Sequence, residues 1–406
     1  MPDRLHRPDG KPPRVVVVGG GVAALETVLA LRALAGMRVE VELIAPDDEL
    51  RYPPLEVIEP FGLTPPRVDL TDALDTLGVL HRRERVTAVH LQEQCVTTSQ
   101  GTIVPYEALV LAIGARALPP PAGALTFGGP NGRRQLQALL DDSVAGLVEQ
   151  ILFAVPLGAA WPLPLYELAT LTVQRLRSLG SGSTAVSIVT PERVPLELFG
   201  GRASGHVREQ LDALGIAFNG GGHVAEILRG EARIAPGGEL LPADRVVTMP
   251  TLRGPALPGV PHDADGFIPV DRHGAVTGAY GVYAAGDATD QPIKQGGLAT
   301  QQADAIASAI AARAGAAVTP EPFAGVLRGM LLTAGAPRYL EADRSGRSAP
   351  TGSPTPLWWP PTKVAGRYLA PFLAQQLAGS AIASDLNPPE MWRDGSIPCE
   401  VTLPVL

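Results

Sequence analysis

Four consecutive valines, Val15 to Val18, run straight into Gly19-Gly20-Gly21-Val22-Ala23-Ala24. β-branched side chains favour extended backbone, and an apolar run without alternation suits a strand covered on both faces, as in a parallel sheet. The next residues carry helical spacing instead: Val22, Leu25, Val28 and Leu29 share one side, Arg32 falls in the last turn and Gly36 is a suitable stop. Strand, glycine turn and helix together fit GxGxxA. Gly19 permits the tight turn, Gly21 lets backbone approach a pyrophosphate, and Ala24 lets helix and strand pack closely. The helix N-terminus then offers free N–H groups and a partial positive charge to the phosphates. A lone glycine motif is weak, but in this setting it points to a dinucleotide site rather than a structural turn.

A second strand is expected over Val39 to Ile44, with an acidic residue at its end for the adenosine ribose. The sequence departs from that pattern: Ala45 stands there, Glu42 comes early, and Asp47 and Asp48 come late. Short strands are then expected at Val86 to Leu91, Cys95 to Thr98 and Thr102 to Val104, and another from Tyr106 ends on Gly114. His81 and His90 read as surface histidines and Cys95 as a buried, inert thiol.

Much later, Val282 to Asp287 forms another strand running into Gly286-Asp287. After it come Lys294-Gln295-Gly296-Gly297 and a helix expected from about Leu298 to Arg313. A carboxylate at a strand end accepts hydrogen bonds from sugar-chain hydroxyls. A helix N-terminus beside a lysine stabilises negative charge on an electron-accepting ring.

In order and spacing, Gly19/Gly21/Ala24, Tyr106 to Gly114 and Tyr283 to Asp287 resemble the FAD-containing pyridine nucleotide-disulfide oxidoreductase superfamily. Arg51-Tyr52-Pro53-Pro54-Leu55 and Lys294 to Gln302 are similar to its branch of sulfide:quinone oxidoreductases, flavocytochrome c sulfide dehydrogenases and type II NADH dehydrogenases. The resemblance covers residues 14 to about 330. It implies an α/β fold of two Rossmann-like, three-layer ββα dinucleotide-binding domains, the second inserted in the first, plus a C-terminal α+β region. The FAD-binding domain would comprise residues 1–130 and 255–320, the second nucleotide fold 131–254, and a C-terminal interface domain 321–406. The resemblance places non-covalent FAD with its pyrophosphate on Gly19, Gly20, Gly21 and Ala24, its adenine at the Val86 backbone and its ribityl chain on Asp287. Arg51, Gly114 and Gly286 belong to the same site, and Lys294, Gln295 and Gly296 would lie near the isoalloxazine ring.

In the second nucleotide fold, strands are expected at Ile151 to Val155, Ala185 to Thr190 and Arg245 to Met249, with helices at Tyr166 to Leu179 and Gly205 to Leu214. Its first turn reads Pro156-Leu157-Gly158-Ala159-Ala160-Trp161-Pro162-Leu163-Pro164. Prolines remove N–H donors and Trp161 replaces a small residue, so NAD(P)H would meet a degenerate site. Sulfide enzymes of the resembled branch use a pair of cysteines, whereas this chain has only Cys95 and Cys399, far apart. A thiol shuttle is therefore disfavoured, as are a disulfide framework and a zinc site. His262-Asp263-Ala264-Asp265 reads as a solvated turn. For the Trp358-Trp359 pair and the apolar Tyr368 to Leu373 stretch, the resemblance implies a quinone pocket or membrane-facing surface, and the alternative is a dimer or domain interface.

The 406 residues suit two or three domains, and 45% hydrophobic with 18% charged residues is a globular balance. A net charge of -8 with scattered Lys and Arg excludes a nucleic-acid partner. The polar leader, Met1 to Arg14, is no secretory signal, and no run approaches the ~20 apolar residues of a membrane span. The expected location is cytoplasmic, with peripheral contact to the inner membrane face as an option. Three functions remain open. One is two-electron transfer from a small donor through FAD to a quinone or similar acceptor. The others are NAD(P)H:acceptor reduction and a non-catalytic FAD-binding or redox-sensing role.

Overall fold

The computed structural model describes residues 4–7, 9–50, 52–65, 67–333, 335–342 and 356–376. The valine run is strand β1 (Arg14–Val18), followed by helix α1 (Val22–Ala35), β2 (Glu40–Ile44), β3 (Leu80–Arg82) and β4 (Ala108–Leu111). The chain then enters a second unit: β5 (Ala124–Thr126), α2 (Gly129–Val144), β6 (Gln150–Ala154), α3 (Leu163–Ser178), β7 (Ala185–Thr190), α4 (Gly201–Ala213), β8 (Ala217–Gly220) and β9 (Arg245–Thr248). It returns through β10 (Val282–Ala284) and α5 (Gly296–Arg313). It then adds a hairpin, β11 (Leu327–Leu331) and β12 (Arg338–Ala342), and helix α6 (Leu369–Gln376).

Two five-stranded sheets result, ordered β10-β4-β1-β2-β3 and β5-β9-β6-β7-β8, with every pairing parallel. This is the expected α/β architecture of two Rossmann-like sheets. Alternation along β1 explains its unbroken apolarity. Val15 and Val17 pack among α1 and α5, whereas Val16 and Val18 face a second layer containing Val89, Val96 and Val104. That layer is the antiparallel trio Val86–His90, Cys95–Thr98 and Ile103–Pro105. The second sheet has its own trio, His223–Ile227, Glu231–Ala235 and Leu240–Pro242, which the sequence reading did not anticipate. The two chain crossings run side by side as a ribbon, Arg116–Ala117 against Leu252–Arg253.

Register decides where a site can form. Val18 pairs with Ile44 and Leu111, and Leu111 with Ala284, so these four strands end level at one edge of the first sheet. Thr248 pairs with both Thr126 and Ala154, which aligns the carboxyl edge of the second sheet in the same way.

One expectation changes here, and one of the alternatives for the tail is favoured. Cys95 is only half-buried rather than enclosed, because its strand lies in a thin outer layer. The tail residues turn inward. Trp358 is buried edge-on against Tyr339, with ring centroids 5.1 Å apart, and Tyr368, Leu369, Phe372 and Leu373 join the core beside α1. These apolar residues therefore serve as an interface within the chain. No helix among the described residues is long and apolar enough to cross a membrane.

Candidate functional site

The carboxyl edges of both sheets open into one cavity of about 760 Å³. From the first part of the chain it is lined by Gly19, Gly20 and Gly21 after β1, Gly114 after β4, and Val86 in the antiparallel trio. From the return segment come Gly286, Asp287, Lys294, Gln295 and Gly296. Ala24 does not line it, because this buried residue sits inside the packing of α1. Arg51 and Cys399 lie outside the described residues.

The three glycines of the first turn do different work. Gly19 has φ +124°, and a Cβ there would lie 2.2 Å from the Ala112 carbonyl oxygen, so strand ends β1 and β4 close against it. Gly21 has ordinary extended backbone, and a Cβ there would meet nothing within 4 Å. It borders the cavity. No side chain caps α1 at Gly21, so the first N–H groups of the helix are left for a ligand.

The Gly286-Asp287 turn is held from behind. Gln302 on α5 accepts from the Gly286 N–H at 2.7 Å, and the Thr289 hydroxyl donates to the Gly286 carbonyl at 2.8 Å. Burial raises the Asp287 carboxyl, and the charge of Lys294 opposes that shift. The Asp287 carboxylate has no hydrogen-bond partner among the described residues. Such an unsatisfied carboxylate at a cavity wall calls for hydroxyl donors from a ligand. Burial also pushes the Lys294 amine down to about 8, against the pull of Asp287, Asp290 and Asp263. That amine donates to the Thr289 carbonyl and lies 3.8 Å from the centre of the Phe267 ring. Gln295 is the N-cap of α5: its Oε1 accepts from Leu298 N–H at 2.8 Å, and its Nε2 donates to the Arg328 carbonyl at 3.0 Å. Both polar atoms of Gln295 are thus engaged in aiming the helix.

At the opposite end the carboxylates sort themselves by partner. Glu42 is buried against Arg82 at 2.7 Å, Asp48 pairs with Arg83 at 3.0 Å, and Glu84 takes the Thr98 hydroxyl and Arg82. Asp47 is exposed and lines the cavity beside Pro46.

Sequence reasoning missed one polar pair. Glu167 on α3 and Lys363 in the C-terminal strap form a buried salt bridge at the cavity wall, and Lys363 also donates to the Met330 carbonyl at 2.6 Å. The Leu332 N–H donates to Glu167 at 2.7 Å. Burial raises the Glu167 carboxyl and lowers the Lys363 amine, and each is partly restored by the other. A charge on an otherwise apolar helix face was the available signal for Glu167. Lys363 lies 196 residues away and carried none. The same strap is fixed by the Tyr52 hydroxyl, which accepts from Val364 N–H at 2.7 Å.

Comparison with known proteins agrees with this geometry. The family model described as pyridine nucleotide-disulphide oxidoreductase matches residues 166–313. An NADH dehydrogenase-like protein of Mycobacterium tuberculosis is 31% identical over 297 residues, covering 68% of this chain and 72% of that protein. The ferredoxin–NAD(+) reductase subunit of a benzene 1,2-dioxygenase system from Pseudomonas putida is 25% identical over 335 residues, covering 73% and 74%. In fold, the chain is similar to the sulfide:quinone oxidoreductase of Aquifex aeolicus, with TM-score 0.73 and 20% identity over 84% of this chain and 85% of that one. With a paired-sheet cavity and a relative at this level of identity, the chain belongs to the pyridine nucleotide-disulfide oxidoreductase superfamily and is an FAD-dependent oxidoreductase.

Proposed function

We propose that the chain holds FAD non-covalently along the edge of the first sheet and passes two electrons from a small donor to a quinone or similar diffusible acceptor. The observation that carries this reading is convergence. The uncapped start of α1, the unpartnered Asp287 carboxylate and the start of α5 all border one cavity. In this assignment Gly19, Gly20 and Gly21 admit the pyrophosphate and Gly114 and Gly286 shape the adjoining turns. Val86 presents backbone to the adenine, and Asp287 takes ribityl hydroxyls. The flavin supplies the two-electron chemistry. Lys294 and the N-terminus of α5 contribute positive potential at the ring, with Gln295 fixing the direction of that helix and Gly296 keeping its first turn open. Residues 1–130 and 255–320 would form the FAD-binding part, 131–254 the second nucleotide fold and 321–406 the closing interface. The expected setting is the cytoplasm or the inner face of its membrane.

The relatives named for NADH and NAD(+) favour a second reading, with NAD(P)H as the donor. The test is direct. Purified protein should be yellow with a flavin spectrum, and anaerobic addition of its donor should bleach it. Protein that stays colourless after incubation with excess FAD would overturn the assignment. Bleaching by NADH or NADPH would select the second reading.

A further inference from the structure

The end of the second strand is where a fold of this kind carries the carboxylate for an adenosine ribose, and in this chain that position is Ala45. Ala45 is fully buried and does not reach the cavity. Its N–H donates to the Arg82 carbonyl at 3.1 Å, and a Cβ placed on Gly20 would lie 3.3 Å from the Ala45 methyl. The strand end is thus closed between β3 and the glycine turn. The cavity still extends to this corner, where Ile44, Pro46, Asp47, Glu49, Glu84 and Val86 line it.

Most carboxylates around that corner are committed elsewhere. Glu42 is bound to Arg82 and Asp48 to Arg83, and neither lines the cavity. Glu84 lines it but takes the Thr98 hydroxyl and Arg82, and Glu49 lines it but pairs with Arg67 at 3.1 Å. Asp47 lines it with no hydrogen-bond or ion-pair partner among the described residues. Pro46 has no N–H and a fixed ring. Asp47 is therefore the first residue past the strand whose side chain can offer a polar group to a ligand.

With FAD placed along the first sheet as proposed above, on which this rests, we infer that Asp47 holds the adenosine ribose in place of a strand-end carboxylate. A carboxylate accepts hydrogen bonds from ribose hydroxyls, yet its charge repels the pyrophosphate. Contact and charge act in opposite directions, so removal of Asp47 weakens FAD only where its oxygens hold the hydroxyls. Asp47 is exposed, and water competes for it. The contact then lies at the low end for a hydrogen bond to a charged group, about tenfold in affinity.

The test is calorimetric titration of FAD into the full chain freed of flavin, alone and in competition with ADP or 2′,3′-dideoxy-ADP. Competition confines the reading to the FAD site. The parent protein should prefer ADP over the dideoxy compound by about tenfold. Asp47→Ala should bind FAD about tenfold more weakly and should lose the preference for ADP, a coupling that a merely structural effect would not produce. Asp47→Glu should restore part of the preference, and Asp48→Ala should keep all of it. The assignment is overturned by an undiminished preference in Asp47→Ala, by no preference in the parent protein, or by loss of the preference in Glu49→Ala instead. Parent protein that binds neither FAD nor ADP would overturn the FAD placement itself, so the two failures are distinguishable.

Discussion

Gly19 and Gly21 are two positions apart, yet they fail differently when changed. At Gly19 a Cβ would enter the space of the Ala112 carbonyl with φ at +124°, so Gly19→Ala strains the backbone and forces strand ends apart. At Gly21 the backbone suits any residue and no protein atom is displaced. Gly21→Val should therefore unfold at nearly the same temperature as the parent apoprotein but lose most bound flavin. Gly19→Ala should lower the unfolding temperature as well. Flavin absorbance per protein, read beside thermal melts of both apoproteins, separates these outcomes. If Gly21→Val retains a full complement of FAD, the pyrophosphate lies elsewhere. The motif was legible because valine strand, glycines and amphipathic helix are contiguous. The division of labour between the glycines was not, because it depends on Ala112, which meets Gly19 only through sheet pairing.

At the scale of elements, α1 and α5 are joined by an unusual polar contact. Glu26 on α1 is fully buried, accepts from Tyr368 and Leu369 N–H at 2.8 and 2.6 Å, and lies beside the Asp304 carboxyl on α5. It thereby serves as a cap for α6 donated by another helix. Burial raises the Glu26 carboxyl to about 7 despite those donors, and burial beside Glu26 raises Asp304. Folded Glu26 therefore holds its proton more tightly than the unfolded chain, whose value is near 4.5. The stability this contributes is complete below pH 4.5 and is lost as pH rises through about 7. Other carboxylates oppose this at the acid end, so the readable window is pH 5 to 8. Thermal unfolding across it should show a fall in melting temperature toward pH 8, and Glu26→Gln should flatten that slope. An equal slope in parent and variant would show that Glu26 does not titrate there. Helix periodicity placed α1 and α5 well, and the latter begins at Gly296, two residues before its first apolar position. It gave no sign of α2, which begins on Gly129-Pro130-Asn131-Gly132.

For the whole molecule, the cavity is where two sheets, a crossing ribbon and the C-terminal strap meet, so its occupant ties together parts of the chain hundreds of residues apart. FAD binding should stabilise all of them at once, by about 2.7 kcal/mol at a free concentration a hundredfold above its dissociation constant. Melting of apoprotein with increasing FAD should show one transition moving upward. Two transitions, only one of which moves, would show that the second sheet unfolds independently of the site.

Local sequence determined strands β1, β2, β4, β6, β7, β9 and β10, helices α1, α3, α4 and α5, and the glycine and Gly-Asp turns, because each depends on periodicity or backbone conformation within a few neighbouring residues. It also determined that the second turn, with its prolines and Trp161, is poor in donors. Only the tertiary structure decided which groups face one another: the Lys363 amine with the Glu167 carboxylate, the Tyr52 hydroxyl with the Val364 N–H, and the Asp287 carboxylate, without a hydrogen-bond partner among the described residues, at a shared wall. Those pairings join residues up to 312 positions apart. Strand register and burial bring them together, and neither is written in any short stretch of chain.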